Sequence, residues 1–360
     1  MRSVAVFPET RSVKLIETDV PRVRRLHDVL LRVRQVGVCG TDREIAAFHY
    51  GEPPANSDHL VIGHESVAEV VEVGGEVTSL QPGDLVVGMV RRPCPHAHCR
   101  ACRAHRQDFC VTGDFTERGI KHMHGYLSEY TVDEEQYLVR VPRALAEVAV
   151  LVEPLTIAAK AGQQVSAMKA SRPFDQMVYR GVVLGGGAVG LLGAMALVAH
   201  GVDTYMFARK PDDGPLADFV RGFGGRYISS SKVAPSELAR HIGDVDVVFE
   251  ATGAASFAFD TMSALGPNGL FVLTGVPAPG APKPIEVDRI MRDMVLKNQV
   301  LLGVVNAGRS AYEDAVGFLE RFMALFPDSL RRLVAERVPL DDAIEVLRAA
   351  PGLKSIVDLH

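Results

Sequence analysis

The chain has 360 residues, too long for one small core and about right for two domains. Hydrophobic residues make up 47% and charged residues 23%, an ordinary soluble globular composition. The net charge of −5 gives no electrostatic reason to expect nucleic acid or an anionic membrane as a partner.

The N-terminus, residues 1–17, has no apolar h-region and alternates as a strand does, so it does not read as a signal peptide, and the expected location is the cytoplasm. Residues 1 to about 150 read as β-rich. Short alternating runs at 29–36, 67–73 and 84–89 are separated by turn chemistry such as Val73-Gly74-Gly75 and Gln81-Pro82-Gly83-Asp84. This suits a compact barrel-like fold whose loops carry function.

After Glu153-Pro154 the texture changes. Residues 157–168 read as a helix. Apolar strand runs at 177–184, 204–208, 245–249, 269–274 and 300–305 then alternate with helices reaching His200, Phe223 and Leu265. Such alternation implies a parallel sheet covered on both faces. The stretch 181–201 is apolar enough to suggest a membrane span. Five glycines between Gly185 and Gly193 fit a strand, a sharp turn and a helix better. A helix at 312–325 leads into a tail ending in Ile356-Val357-Asp358-Leu359, which we return to the first domain. The expected division is 1–155 with 308–360, and 156–307. There are no internal repeats.

The first sheet strand of the second domain runs into G-x-G-x-x-G, read as Gly185, Gly187 and Gly190. The first glycine permits the tight turn, the second lets backbone approach a pyrophosphate, and the third allows close helix–strand packing. Ala188 and Val189 open the helix, whose N-terminus offers free N–H donors and positive dipole to phosphates. The next strand ends in Arg209-Lys210, where an NAD site places an acidic residue for the ribose. Two cations suit the 2′-phosphate of NADP, or are solvated loop charges. Asp212 and Asp213 keep NAD open as an alternative.

Four of the five cysteines, Cys94, Cys99, Cys102 and Cys110, fall within 17 residues. Four thiolates close a tetrahedral zinc shell and leave no position for substrate, so this site is structural; free thiols and disulfides are the alternatives. His96 and His98 could replace one cysteine, and Arg100, Arg103 and Arg106 would offset the charge. A second set is scattered: Cys39-Gly40-Thr41-Asp42, Gly63-His64-Glu65 and Glu153-Pro154. Each has a dull explanation alone, and spacing does not link them.

Together these residues resemble, in order and over the whole length, the medium-chain, zinc-dependent alcohol dehydrogenase superfamily. Within it the chain is most similar to the glucose (aldose) 1-dehydrogenase branch. The stretches that carry this are Val90-Arg91-Arg92-Pro93, Arg106-Gln107-Asp108-Phe109-Cys110, Thr116-Glu117-Arg118-Gly119-Ile120, His124-Gly125-Tyr126, Val152-Glu153-Pro154-Leu155-Thr156, Glu250-Ala251-Thr252-Gly253 and Val304-Val305-Asn306. The resemblance implies an α/β protein, a GroES-like catalytic domain plus a Rossmann doubly wound parallel-sheet domain. It implies catalytic zinc on Cys39 and His64, with Glu65 and Glu153 ligating directly or through water. It places Thr41, Glu117, Glu153 and Asn306 around sugar hydroxyls, and Thr252 and Asn306 at the cofactor. Two zinc ions per chain, NADP or NAD, and a dimer or tetramer follow from it. The implied reaction is oxidation of an aldose at C1 to the lactone, with a polyol or secondary-alcohol dehydrogenase, or a non-enzymatic NADP-binding protein, as the rival. One departure is visible: four residues, not the family's two, separate Cys94 from Cys99, so Cys94 is the lobe ligand most in question.

Overall fold

Eleven mostly buried residues, Asp28–Val38, form the strand around which the first half is organised. The computed structural model describes residues 1–172, 177–277, 280–282, 284–350 and 352–359. Strand Glu65–Val73 pairs antiparallel with Asp28–Val38 on one edge, and the C-terminal strand Ser355–Asp358 pairs antiparallel on the other, Val357 facing Val36. The apolar tail is therefore a sheet strand. Its Val357, with Leu359 just beyond it, joins a core that includes Val4, Leu31, Ile62, Val86 and Tyr126. The chain divides into two compact units: Met1–Thr156 with Asn306–Glu320 and Leu330–His360, and Ile157–Val305 with Arg321–Ser329.

The second unit holds a six-stranded parallel sheet in the order Arg226–Ser229, Asp203–Ala208, Arg180–Leu184, Val245–Glu250, Leu265–Leu273, Val300–Gly303. Numbered along the chain this is 3-2-1-4-5-6, the doubly wound order whose ligand crevice lies where the winding reverses, outside Leu184 and Glu250. Sequence periodicity anticipated five of these strands. It missed Arg226–Ser229, only four residues long and opening on an exposed arginine.

Several boundaries also moved, two of them at helices of the second half. The helix expected at 157–168 is Val152–Ala170, so Glu153 and Pro154 lie in its first turn, where proline's missing N–H leaves no hydrogen bond unmade. The helix expected to reach Leu265 is Ala255–Thr261, followed by a short 3-10 turn, and the next strand already begins at Leu265. Residues 181–201 form the end of a strand, the glycine turn and helix Ala188–Ala199. Among the described residues no helix is long and apolar enough to cross a membrane.

Candidate active site

The four-cysteine lobe is assembled by short local structure. Cys94 follows strand Arg91–Arg92, Cys99 precedes helix Arg100–Arg103, Cys102 lies within it, and Cys110 follows the turn Gln107–Phe109. All four sulfurs lie within 4.8 Å of one another, so the longer spacing after Cys94 is absorbed by the loop. Cys99 and Cys110 Sγ are 3.9 Å apart. Zinc–sulfur bonds of about 2.3 Å in a tetrahedron require roughly 3.8 Å between sulfurs, so the cluster fits that ion. The thiols are unequal. Backbone N–H groups of Cys102 and Val111 lower Cys99 to about 6, whereas burial pushes Cys102 up to about 12. Four thiolates together need a cation. His96 lies outside the four-sulfur cluster, and its Nε2 is 2.8 Å from Asp114 Oδ2. Arg106 is likewise engaged, by Asp108 at 2.9 and 3.0 Å, leaving Arg100 and Arg103 as the lobe's remaining local cations.

The scattered residues converge because of sheet register. Gly37 faces Glu65 across the central pair of strands, which sets Glu65 and the preceding His64 beside Cys39 at the end of Asp28–Val38. Donor atoms of Cys39, His64 and Glu65 all lie within 4.8 Å of one another. A thiolate, an imidazole and a carboxylate are a zinc donor set that leaves one tetrahedral position open. Gly37 makes the arrangement sterically possible, since a Cβ there would collide with Glu65 Oε2.

Two partners of this trio were not identified from sequence. Asp42, buried in the first turn of helix Gly40–Ala46, accepts the N–H of Cys39 at 2.8 Å and of Gly63 at 3.2 Å. Its Oδ1 also lies 3.2 Å from His64 Nδ1, off the hydrogen-bond line, which leaves Nε2 as that ring's ligand atom. One carboxylate thus orients two ligands. Burial disfavours an imidazolium, yet Asp42 holds the His64 pKa well above its ordinary value. Lys354, buried just before the C-terminal strand, pairs with Glu65 and donates to Val38 O at 3.3 Å. Asp42 had a local signal: an acid three residues after a helix-capping position. Lys354 had none.

Glu153 stands outside the 4.8 Å trio, in the first turn of Val152–Ala170. Burial, reinforced by Glu65 and opposed by His64, pushes its carboxyl up to about 7. Thr41 sits beside Cys39 at the helix start, half-buried. Glu117 lies on strand Thr116–Arg118 and is buried. Asn306, in the left-handed region at φ 54°, donates from Nδ2 to Glu117 Oε1 at 2.7 Å, joining two residues 189 apart. Glycines explain how this strand reaches the metal motif: Gly119 at φ 70° and Gly125 pack backbone-to-backbone on Gly63, and a Cβ on either would strike the Gly63 carbonyl. Behind them Asp133 accepts from Tyr126 at 2.6 Å and Arg92 at 2.7 Å, a buried polar brace.

In the second unit each motif glycine meets its steric test. Gly185 has φ 104°, and a Cβ there would lie 2.7 Å from Thr252 Cγ2. A Cβ on Gly190 would strike the Gly185 carbonyl, while Gly187 faces open space. The helix begun by Ala188 and Val189 has no side-chain cap, so its first N–H groups are available to phosphate. Glu250, missed from sequence, is buried and accepts from Thr252 N, Thr252 Oγ1, Gly253 N and Gly275 N at 2.5–3.2 Å. Thr252 Oγ1 also accepts from Ala254 N at 2.9 Å, so its hydroxyl shapes the loop and its methyl faces Gly185. Arg209 and Lys210 are exposed, and among the described residues neither has a carboxylate partner. Asp212 pairs with Lys232 at 2.6 Å instead. Asn306, expected at both sites, belongs to the first unit and is held by Glu117.

Comparison with known proteins gives a consistent picture. Residues 146–359 match the family described as glucose dehydrogenase C-terminus, and residues 25–143 match the alcohol dehydrogenase GroES-like domain. A glucose 1-dehydrogenase of Methanocella arvoryzae is 35% identical over 349 residues, 97% of this chain and 96% of that protein. One from Thermoproteus tenax is 38% identical over 343 residues, 95% of this chain and 94% of that protein. Among solved structures, Haloferax mediterranei glucose dehydrogenase in complex with NADP, Zn and gluconolactone superposes with a TM-score of 0.90 at 32% identity, covering 100% of this chain and 99% of that one.

Proposed function

The chain belongs to the medium-chain, zinc-dependent alcohol dehydrogenase superfamily, in its glucose 1-dehydrogenase branch, and from that premise we propose that it oxidises D-glucose at C1 to gluconolactone, passing the hydride to NADP. The observation that carries this reading is the convergence of Cys39, His64 and Glu65 in the same unit as the Glu117–Asn306 pair. Cys39, His64 and Glu65 would hold the catalytic zinc, with Glu153 in the first turn of helix Val152–Ala170 as a further carboxylate of the site; Cys94, Cys99, Cys102 and Cys110 would hold a structural one. Bound zinc supplies Lewis acidity that lowers the pKa of a sugar hydroxyl. Thr41 Oγ1 receives the hydroxyl proton and relays it outward. Glu153, in the first turn of the neighbouring helix, is the proposed final acceptor, a carboxylate whose pKa a bound zinc would lower. Glu117 and Asn306 bind ring hydroxyls and fix which carbon faces the acceptor.

The second unit binds the dinucleotide. Gly185, Gly187 and Gly190 would admit the pyrophosphate, the N–H groups of Ala188 and Val189 would donate to it, and Arg209 with Lys210 would take the 2′-phosphate. NADP, when bound, accepts the hydride. Association with further copies of the chain belongs to the same reading. Strand Val300–Gly303 is an edge of its sheet, and helix Val287–Leu296 exposes Val287, Met291 and Val295 on one face.

The test is NADP reduction with a panel of aldoses, polyols and short alcohols, with product analysis. D-Glucose should give NADPH and gluconolactone. Turnover confined to polyols or short alcohols would replace this reading with the polyol or secondary-alcohol one, and no turnover with any substrate would leave only an NADP-binding protein.

A further inference from the structure

Arg91 and Glu117 face each other across the antiparallel pair Arg91–Arg92 and Thr116–Arg118. Both are buried. Arg91 Nε and Nη2 each reach Glu117 Oε1 at 3.0 Å, and Asn306 Nδ2 reaches the same oxygen at 2.7 Å. Three donors thus crowd one carboxylate oxygen. Glu117 Oε2 has no partner among the described residues. The guanidinium carbon also lies over the Phe115 ring, 3.6 Å from its centroid.

We propose that Arg91 is a positioning residue for substrate selection: with Asn306 it saturates one oxygen of Glu117 and leaves the other as a fixed, single acceptor for one sugar hydroxyl. An unanchored carboxylate would rotate and offer either oxygen to water, and its ordering would have to be met at each binding event. A pre-ordered acceptor binds the matching hydroxyl without that cost. It also rejects a substrate lacking that hydroxyl, because the ionised oxygen is then desolvated without a partner. Lysine could supply the charge but not the two-pronged geometry over the ring.

This inference rests on the sugar reading above. The test compares wild type, Arg91→Lys, Arg91→Met and Asn306→Ala on D-glucose and on each monodeoxy-glucose that keeps the C1 hydroxyl. Wild type should reject one deoxy isomer by about a hundredfold in kcat/KM, and both Arg91→Met and Asn306→Ala should narrow that ratio by about tenfold. Arg91→Lys should fall between, with KM for glucose raised, kcat within about threefold, and zinc content and NADP Kd unchanged. If Arg91→Met does not fold, Arg91→Lys and Asn306→Ala decide. Variants that keep wild-type discrimination, or that lose activity equally on every sugar, overturn the proposal alone. Wild-type protein that oxidises no aldose overturns the sugar reading and this proposal with it.

Discussion

The two cysteine-containing clusters of the first unit are built on opposite plans. The lobe draws four like donors from 17 consecutive residues and closes on itself, with backbone N–H groups tuning its thiols. The other cluster draws three unlike donors from two distant segments, and buried charges beside the donors hold it: Asp42 on Cys39 and His64, Lys354 on Glu65. A closed shell of soft ligands confers rigidity. An open, mixed shell held by outside charges can exchange a ligand and do chemistry.

Substitutions should separate the two plans. The largest effect belongs to His64→Ala. Losing Lewis-acid assistance worth several kcal/mol should lower kcat by about a thousandfold, while Tm and NADP binding hold. A variant retaining full turnover would remove His64 from the chemistry. Cys94→Ser should do the reverse. Loss of the lobe ion should cost about 3 kcal/mol, roughly 6–12 °C in Tm for a unit of this size, while the folded fraction keeps its KM for glucose. Unchanged zinc content and Tm in that variant would show that a three-cysteine lobe suffices. Asp42→Asn comes next. It should weaken zinc at the open cluster by about 10–100-fold, measured by competition with a chromogenic chelator, without touching the lobe. Arg209→Glu should have the narrowest effect. It should raise KM for NADP by about tenfold or more and leave KM for NAD nearly unchanged, and an equal response to both cofactors would exclude a 2′-phosphate contact.

The same contrast explains what could be read from sequence. The dinucleotide turn was legible because its requirements are local: glycines at fixed offsets, between a strand and a helix, where a Cβ would collide or the backbone must be bare. The lobe was legible because four like ligands are adjacent. The scattered trio was found through the order of family motifs, since its geometry depends on strand register, and register is set by pairings across the whole sheet. Asp42 lay in plain view within Cys39-Gly40-Thr41-Asp42, yet its role needed the helix start to be seen. Lys354 carried no local pattern, and Arg91 and Glu250 stood in family stretches from which no role for either was read. A buried charge is recognisable only once its partner, up to 289 residues away for Lys354 and Glu65, is in place.

The most direct test is a timed chelator titration in which bound zinc, glucose-dependent NADP reduction and Tm are followed on the same samples. The expected result is that activity disappears with the first zinc equivalent, from the open Cys39–His64–Glu65 cluster, and that Tm falls only with the second. Activity that survives the first loss, or that disappears only as the fold melts, would contradict the division of labour between the two clusters.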